Sequence, residues 1–164
     1  KAEQAEQDTK WKAEQAERDE RIDRNFRALR QEIGALTAAF ADDLEEIGRD
    51  IAAIYLKSEL GWEVAELQPG YLRVGKDEFE IDFLGEARKG DEVRRVAGEA
   101  KSRVDLREVE ELVRKIRRIE AETGERFLWV LFPRKIFRRA LDAAREVGIV
   151  VVPWDYQYRR RVPA

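Results

Sequence analysis

The first 57 residues contain no proline and only two glycines, Gly34 and Gly48, so a single uninterrupted helix is predicted there. An eleven-residue period opens it, because KAEQAEQDTKW (1–11) is followed by KAEQAERDERI (12–22). Apolar residues then recur at steps of four and three, with one extra step of four, at Ile22, Phe26, Leu29, Ile33, Leu36, Phe40, Leu44, Ile47 and Ile51. This narrow stripe is typical of a coiled-coil seam, so residues 1–44 are predicted to form a coiled-coil stalk.

The stripe needs a partner, because a helix this long cannot bury it on a domain of roughly 100 residues. Self-association through residues 22–44 is therefore predicted, and a homodimer is the commonest arrangement. Two alternatives stay open. Residues 1–20 also suit a solvated single helix with charge pairs four residues apart. Residues 1–44 could also recruit a helix of another protein.

After Gly61 the pattern changes to that of strands. Short extended runs at 62–67 and 71–75 flank a predicted turn at 68–70, and two longer strands flank a turn at Gly90-Asp91. A helix is predicted from Asp105, with a capping box to Glu108, to Gly124. A buried strand at 127–133, a helix at 134–147 and a strand at 149–153 follow. This last part predicts a βαβ unit with parallel strands.

The long hairpin carries an unusual set of charges. With a two-residue turn, paired residues sum to 181, which places Asp82 opposite Glu99, Glu80 opposite Lys101 and Glu86 opposite Arg95 on one face. The other face is predicted to be core, with Ile81, Phe83, Val96, Gly98 and Ala100. Facing carboxylates repel, so Lys101 and a divalent cation are expected to offset Asp82 and Glu99. The alternative is a set of solvent-facing charges on an exposed sheet.

Composition excludes several classes of enzyme. The chain has no Cys and no His, which rules out thiolate zinc sites, cysteine nucleophiles and serine–histidine triads. Its 32 basic and 35 acidic residues give a net charge of -3, so nucleic-acid binding needs a local basic patch. With no membrane span or secretory signal, a cytoplasmic protein without membrane contact is expected. The lack of Met suggests a fragment, and the abundance of Arg and Glu hints at a thermophile.

The segments EIDF (80–83) and VAGEAKS (96–102) resemble motifs II and III of the PD-(D/E)XK nuclease superfamily. The resemblance implies an α/β fold with a restriction-endonuclease-like αβββαβ core, a mixed sheet flanked by helices, over residues 45–164. It implies that Asp82 and Glu99 bind metal and that Lys101 positions or activates the attacking water. More narrowly, the chain resembles a group of uncharacterised prokaryotic proteins that join an N-terminal coiled coil to such a domain.

Members of that superfamily also carry an acidic residue on the first core helix. Glu45, Glu46 and Asp50 are the candidates here, and Glu46 is preferred. The resemblance thus implies an Mg²⁺ or Mn²⁺ site formed by Asp82, Glu99, the Ala100 carbonyl and Glu46. The function expected is that of a magnesium-dependent endodeoxyribonuclease, dimerised through its coiled coil. The alternative is a catalytically inactive nuclease-like domain that serves as a scaffolding or nucleic-acid-binding protein.

Basic residues gather at 114–118, 134–139 and 159–161. The first two groups are predicted to be solvated helix faces, and the alternative is a surface that contacts phosphates. The segment YQYRRR (156–161) would suit stacking on bases or a frayed terminus.

Overall fold

A computed structural model describes residues 1–156. Within them the chain forms three helices and six strands in the order α1 (Ala2–Leu60), β1 (Glu63–Val64), β2 (Gln68–Val74), β3 (Asp77–Lys89), β4 (Glu92–Val104), α2 (Leu106–Thr123), β5 (Leu128–Ile136), α3 (Arg138–Glu146) and β6 (Val150–Val151). The chain divides into two compact units, Lys1–Phe40 and Ala41–Ala164. From residue 157 onward, the predicted basic tail lies outside the described residues.

The unit Lys1–Phe40 is helical from Ala2 onward, which confirms the single uninterrupted helix. Its large apolar side chains are all exposed, namely Trp11, Ile22, Phe26, Leu29, Ile33, Leu36 and Phe40. The helix alone therefore leaves the predicted stripe uncovered. No helix of the described part of the chain is long and apolar enough to cross a membrane.

The second unit contains a mixed sheet in the order β1-β3-β4-β5-β6, with β2 also paired to β3. Strands β1 to β4 pair antiparallel, whereas β4, β5 and β6 are parallel. The parallel β5 and β6 confirm the predicted βαβ unit. The long helix, the mixed sheet and its flanking helices together form the predicted restriction-endonuclease-like α/β core.

Helices cover both faces of this sheet. From Leu44 onward, apolar residues of α1 pack with Phe83, Val130 and Phe132 in one cluster. In the second cluster, apolar residues of α2 and α3 pack against the residues of the central strands whose side chains point to the opposite face of the sheet. Gly48 allows α1 to approach closely, because a Cβ there would lie 2.7 Å from both the Phe83 and the Phe132 ring.

Two predictions of secondary structure were wrong. The segment 68–70 is the start of β2 and not a turn, and the run before it forms only the two-residue β1. Strand β5 continues through residues 134–136, where a helix was expected. It continues because Lys135 and Ile136 still pair with Arg103 and Val104 of β4. The next amide, of Phe137, donates to the Val104 carbonyl, so α3 begins only at Arg138.

The boundaries of α2 match the sequence prediction. The Asp105 carboxylate accepts a hydrogen bond from the Glu108 amide at 3.0 Å, as an N-cap should. Gly124 ends the helix with a positive φ of 68°. These caps fix where α2 starts and stops beneath the sheet.

Candidate active site

The predicted hairpin register is confirmed over most of its length. Glu86 pairs with Arg95 and Phe83 with Gly98, and every pair between β3 and β4 sums to 181. The ladder ends at Phe83, so the predicted backbone pairs of Asp82 with Glu99 and of Glu80 with Lys101 do not form. Instead, the Asp82 side chain accepts a hydrogen bond from the Ala100 amide at 3.0 Å.

A β-bulge explains this departure. On the other edge of β3, Gln68 pairs with Leu84 and Gly70 with Ile81, so three steps on β3 match two on β2. The extra residue lies between Ile81 and Leu84, where Asp82 is found, and a bulge breaks the alternation of faces. The prediction that Ile81 and Phe83 share a core face was therefore wrong. Ile81 packs in the cluster with α2 and α3, whereas Phe83 packs in the cluster with α1.

Two ammonium groups surround the Glu99 carboxylate. Lys115 of α2 forms a hydrogen-bonded ion pair with Glu99 Oε1, and Lys101 Nζ lies 3.9 Å from Glu99 Oε2. The Glu99 side chain is only 13% exposed and that of Lys115 20%. The two cations offset part of the repulsion between this largely buried carboxylate and nearby acids.

Sequence reasoning assigned Lys115 to a solvated helix face, but the structure places its side chain inside the site. Lys115 Nζ also lies 3.4 Å from the Glu80 carbonyl, to which it donates. A signal for this was present, because Lys115 lies three residues after Leu112 and four before Ile119, both buried. That spacing places it on the apolar face of α2.

Asp82 lies in an unfavourable electrostatic environment. Burial raises the pKa of its carboxyl group above the ordinary value, and the charges of Glu99 and Glu80 add to the increase. The Ala100 amide and the Lys115 ammonium lower this pKa, but they only partly offset the rise. The ionised Asp82 is therefore held at a cost, which is typical of functional carboxylates.

Among the three first-helix candidates, Glu45 interacts electrostatically with Asp82. Burial raises the pKa of Glu45, and the charge of Asp82 is the next largest cause. Glu46 and Asp50 are exposed and border a groove beside the segment between β1 and β2. Arg49 links this helix to the bulge, because its Nη1 donates to the Asp82 carbonyl at 3.3 Å. Glu45 is thus the candidate whose pKa responds to the charge of Asp82, and which of the three joins a metal site stays a prediction.

The donor atoms at this site are of the type that Mg²⁺ and Mn²⁺ prefer, since they are carboxylate and carbonyl oxygens. Within residues 1–156, however, no three acidic side chains are arranged so that they could hold a metal ion. The structure places Asp82 next to Ala100 and within electrostatic range of Glu99. The carboxylate and carbonyl oxygens thus have the chemistry that suits a hard cation, and the ligands assigned from sequence stay a prediction.

Comparison with known proteins gives a distant likeness in structure. No protein-family model and no curated protein matches the sequence. A repair endonuclease from Pyrococcus abyssi is 16% identical with a TM-score of 0.42, over 62% of this chain and 43% of that one. The MspJI restriction endonuclease, solved in complex with a 27-mer oligonucleotide, is 21% identical with a TM-score of 0.44, over 66% and 24%. The chain thus spans less than half the length of each.

Proposed function

We propose that the second unit is a metal-dependent nuclease that hydrolyses phosphodiester bonds of DNA, with Asp82, Glu99 and Lys101 in its active site. The main support is the electrostatic environment of Asp82. This carboxylate is partly buried and close enough to Glu99 and Glu80 for both charges to raise its pKa. The Ala100 amide and the Lys115 ammonium only partly offset this rise, so a ligand of opposite charge would relieve the remaining repulsion.

Each residue has a distinct role in this proposal. Asp82, Glu99 and the Ala100 carbonyl bind the ion from the hairpin, and Glu45 approaches it from α1. When bound, a divalent ion supplies a water of lowered pKa and neutralises charge on the phosphoryl oxygens. Lys101, at 3.9 Å from Glu99 and 36% exposed, can donate a hydrogen bond to the attacking water or to a phosphoryl oxygen.

Self-association through residues 22–44 is part of the proposal, as is the stalk formed by residues 1–44. Six large apolar side chains, from Ile22 to Phe40, are exposed at steps of three and four. Such a row buries a continuous seam when two helices pack in parallel or antiparallel fashion. A dimer would present two active sites, one for each strand of a DNA duplex.

The experiment is cleavage of supercoiled plasmid in Mg²⁺ or Mn²⁺, with the product strands separated on a gel. Wild type should nick or linearise the plasmid, and Glu99→Gln and Lys101→Met should lose at least a hundredfold in rate, on the order of one lost charge-stabilising group. Glu86→Gln is the matched control, because Glu86 lies on the same hairpin and its carboxylate forms an exposed ion pair with Arg88. Failure of wild type to cleave in either metal would refute the activity.

The second candidate function is an inactive nuclease-like domain that scaffolds or binds nucleic acid. The observation that favours it is the lack, among the described residues, of three acidic side chains that could hold a metal. Titration calorimetry with Mn²⁺ separates the two functions. Binding that Asp82→Asn abolishes favours the nuclease, whereas no binding by wild type favours the scaffold.

A further inference from the structure

A second group of side chains, which we term the basic-aromatic surface, comes from the ends of β4 and β5 and from residues just after β5 and β6: Arg103, Arg134, Lys135, Phe137 and Trp154. Arg103 and Lys135 are partners in the parallel ladder. Arg103 lies two residues after Lys101 on β4, about 6.6 Å further along the strand. The basic-aromatic surface therefore begins close to the candidate active site.

The three cations of this surface are available to an external anion. Arg103, Arg134 and Lys135 are exposed, and within residues 1–156 no carboxylate forms an ion pair with any of them. Two other exposed arginines differ, since Arg107 pairs with Glu111 and Arg138 with Asp142, each four residues on. Three exposed cations that form no ion pair within residues 1–156 contribute a local positive potential in a chain that is acidic overall.

Aromatic rings lie directly beneath these cations. The Arg134 guanidinium is 3.6 Å from the centroid of the Trp154 ring, and that of Arg103 is 4.7 Å from the Phe137 ring. Lys135 Nζ is 5.4 Å from the same Phe137 ring. Both rings remain 37% exposed. Such contacts hold the planar guanidinium groups in place, and a planar guanidinium can stack on a nucleobase with its free face.

We propose that the basic-aromatic surface binds unpaired nucleotides beside the phosphate that is cleaved. Phosphates contact Arg103 and Lys135, and one base stacks on the Arg134 guanidinium, which already covers Trp154. Unpaired nucleotides are required because a base in a duplex has no free face to offer. The inference deepens the proposed function and rests on it for the position of the cleaved phosphate, but binding itself does not depend on catalysis.

The test is fluorescence anisotropy of the full chain with a labelled single strand and its duplex, in EDTA so that no cleavage occurs. Wild type should bind the single strand more tightly. Arg103→Ala with Lys135→Ala should weaken binding about tenfold and reduce the slope of log K against log salt by about 1.4, for two phosphate contacts. Trp154→Ala should weaken binding of the single strand about tenfold and binding of the duplex far less.

The matched control is Arg107→Ala with Arg138→Ala, which removes the same charge from exposed arginines that already have acidic partners. This variant should bind as wild type does. Because Arg103 and Lys135 are exposed, the variant with Arg103→Ala and Lys135→Ala should keep the wild-type thermal midpoint, which calorimetry verifies.

Unchanged binding of the single strand by this Arg103 and Lys135 variant would overturn the inference. A preference of wild type for the duplex would overturn it as well.

Binding and cleavage distinguish this inference from the proposed function. A chain that binds single strands through the basic-aromatic surface but never cleaves plasmid supports the surface and rejects the nuclease. A chain that cleaves, with single-strand binding unchanged by Arg103→Ala and Lys135→Ala, rejects the surface and keeps the nuclease.

Discussion

Replacing Asp82 by Asn should stabilise the metal-free protein. Asn has the same shape, and its Oδ1 can still accept the Ala100 amide now bonded at 3.0 Å. The raised pKa of Asp82 means that the fold favours the uncharged side chain over the charged one. A neutral replacement of equal shape therefore relieves an unfavourable interaction.

The magnitude follows from opposing contributions. A neutral acceptor makes a weaker hydrogen bond to the Ala100 amide than a carboxylate does, at a cost of about 0.5 kcal/mol. Relief of burial and of repulsion by Glu99 and Glu80 exceeds this loss, because these effects dominate the pKa. We expect a net gain of about 1 kcal/mol at neutral pH, which lies within the range that single stabilising substitutions give. In a domain of this size the thermal midpoint would rise by about 4 °C.

The raised pKa of Asp82 also determines how the stability of wild type changes with pH. Folded wild type binds a proton at Asp82 more tightly than the unfolded chain, so its stability falls as pH rises from the ordinary value of 3.8 through the raised pKa. Asp82→Asn does not lose stability in this way. Its stability advantage over wild type should be complete at pH 7 and should disappear as the pH falls toward 3.8.

The assay is differential scanning calorimetry of both proteins across this pH range, with and without Mn²⁺. At about 100 times Kd, an ion that binds only the folded state stabilises it by roughly 2.7 kcal/mol, so metal should reverse the order and make wild type the more stable protein. Asp77→Asn is the control on the same strand; Asp77 pairs with Arg118, so its neutralisation should give no stabilisation. A lower midpoint for Asp82→Asn at pH 7 without metal would refute the reasoning.

Four further predictions concern variants at three other positions. Lys115→Met should lower the free energy of unfolding by about 1 to 2 kcal/mol in urea, because it leaves the half-buried Glu99 with one distant cation. The same variant should bind Mn²⁺ several-fold more tightly by calorimetry, since a competing charge is gone; weaker binding would contradict this. Gly98→Ala should cost about 2 kcal/mol in the same urea assay, because its Cβ would lie 2.6 Å from a carbonyl oxygen of β5. Leu29→Glu should make a dimer monomeric in sedimentation analysis while Arg30→Glu should not, and a monomeric wild type would exclude the dimer.

The elements that could be predicted from sequence are those whose signals are local. The helix through Leu60 follows from an unbroken pattern without proline, and the limits of α2 follow from Asp105 and Gly124. The hairpin register follows from a two-residue turn in which Gly90 has a φ of 59°. In each case neighbouring residues determine the structure, so distant parts of the chain need not be known.

The features that sequence reasoning missed depend on contacts between distant segments. The bulge in β3 is visible only in its pairing with β2, and no residue type there announces it. Residues 134–136 stay in β5 because β4 is long enough to pair with them. The position of Lys115 beside Glu99 depends on how α2 crosses the sheet. Amphipathic spacing shows which side of a helix is buried, but not which polar group it will meet.

The bulge also bears on whether the charge of Asp82 is needed for the fold. Because the residues of β3 before Phe83 do not pair with β4, the Ala100 amide requires another acceptor, and Asp82 supplies one oxygen. Asn could do the same without being repelled by Glu99 and Glu80. The fold therefore accounts for an acceptor at position 82 but not for a negative charge. The negative charge of Asp82 thus lies at a bulge in β3, and the fold does not need it. Such a charge is what a cation-binding function would require.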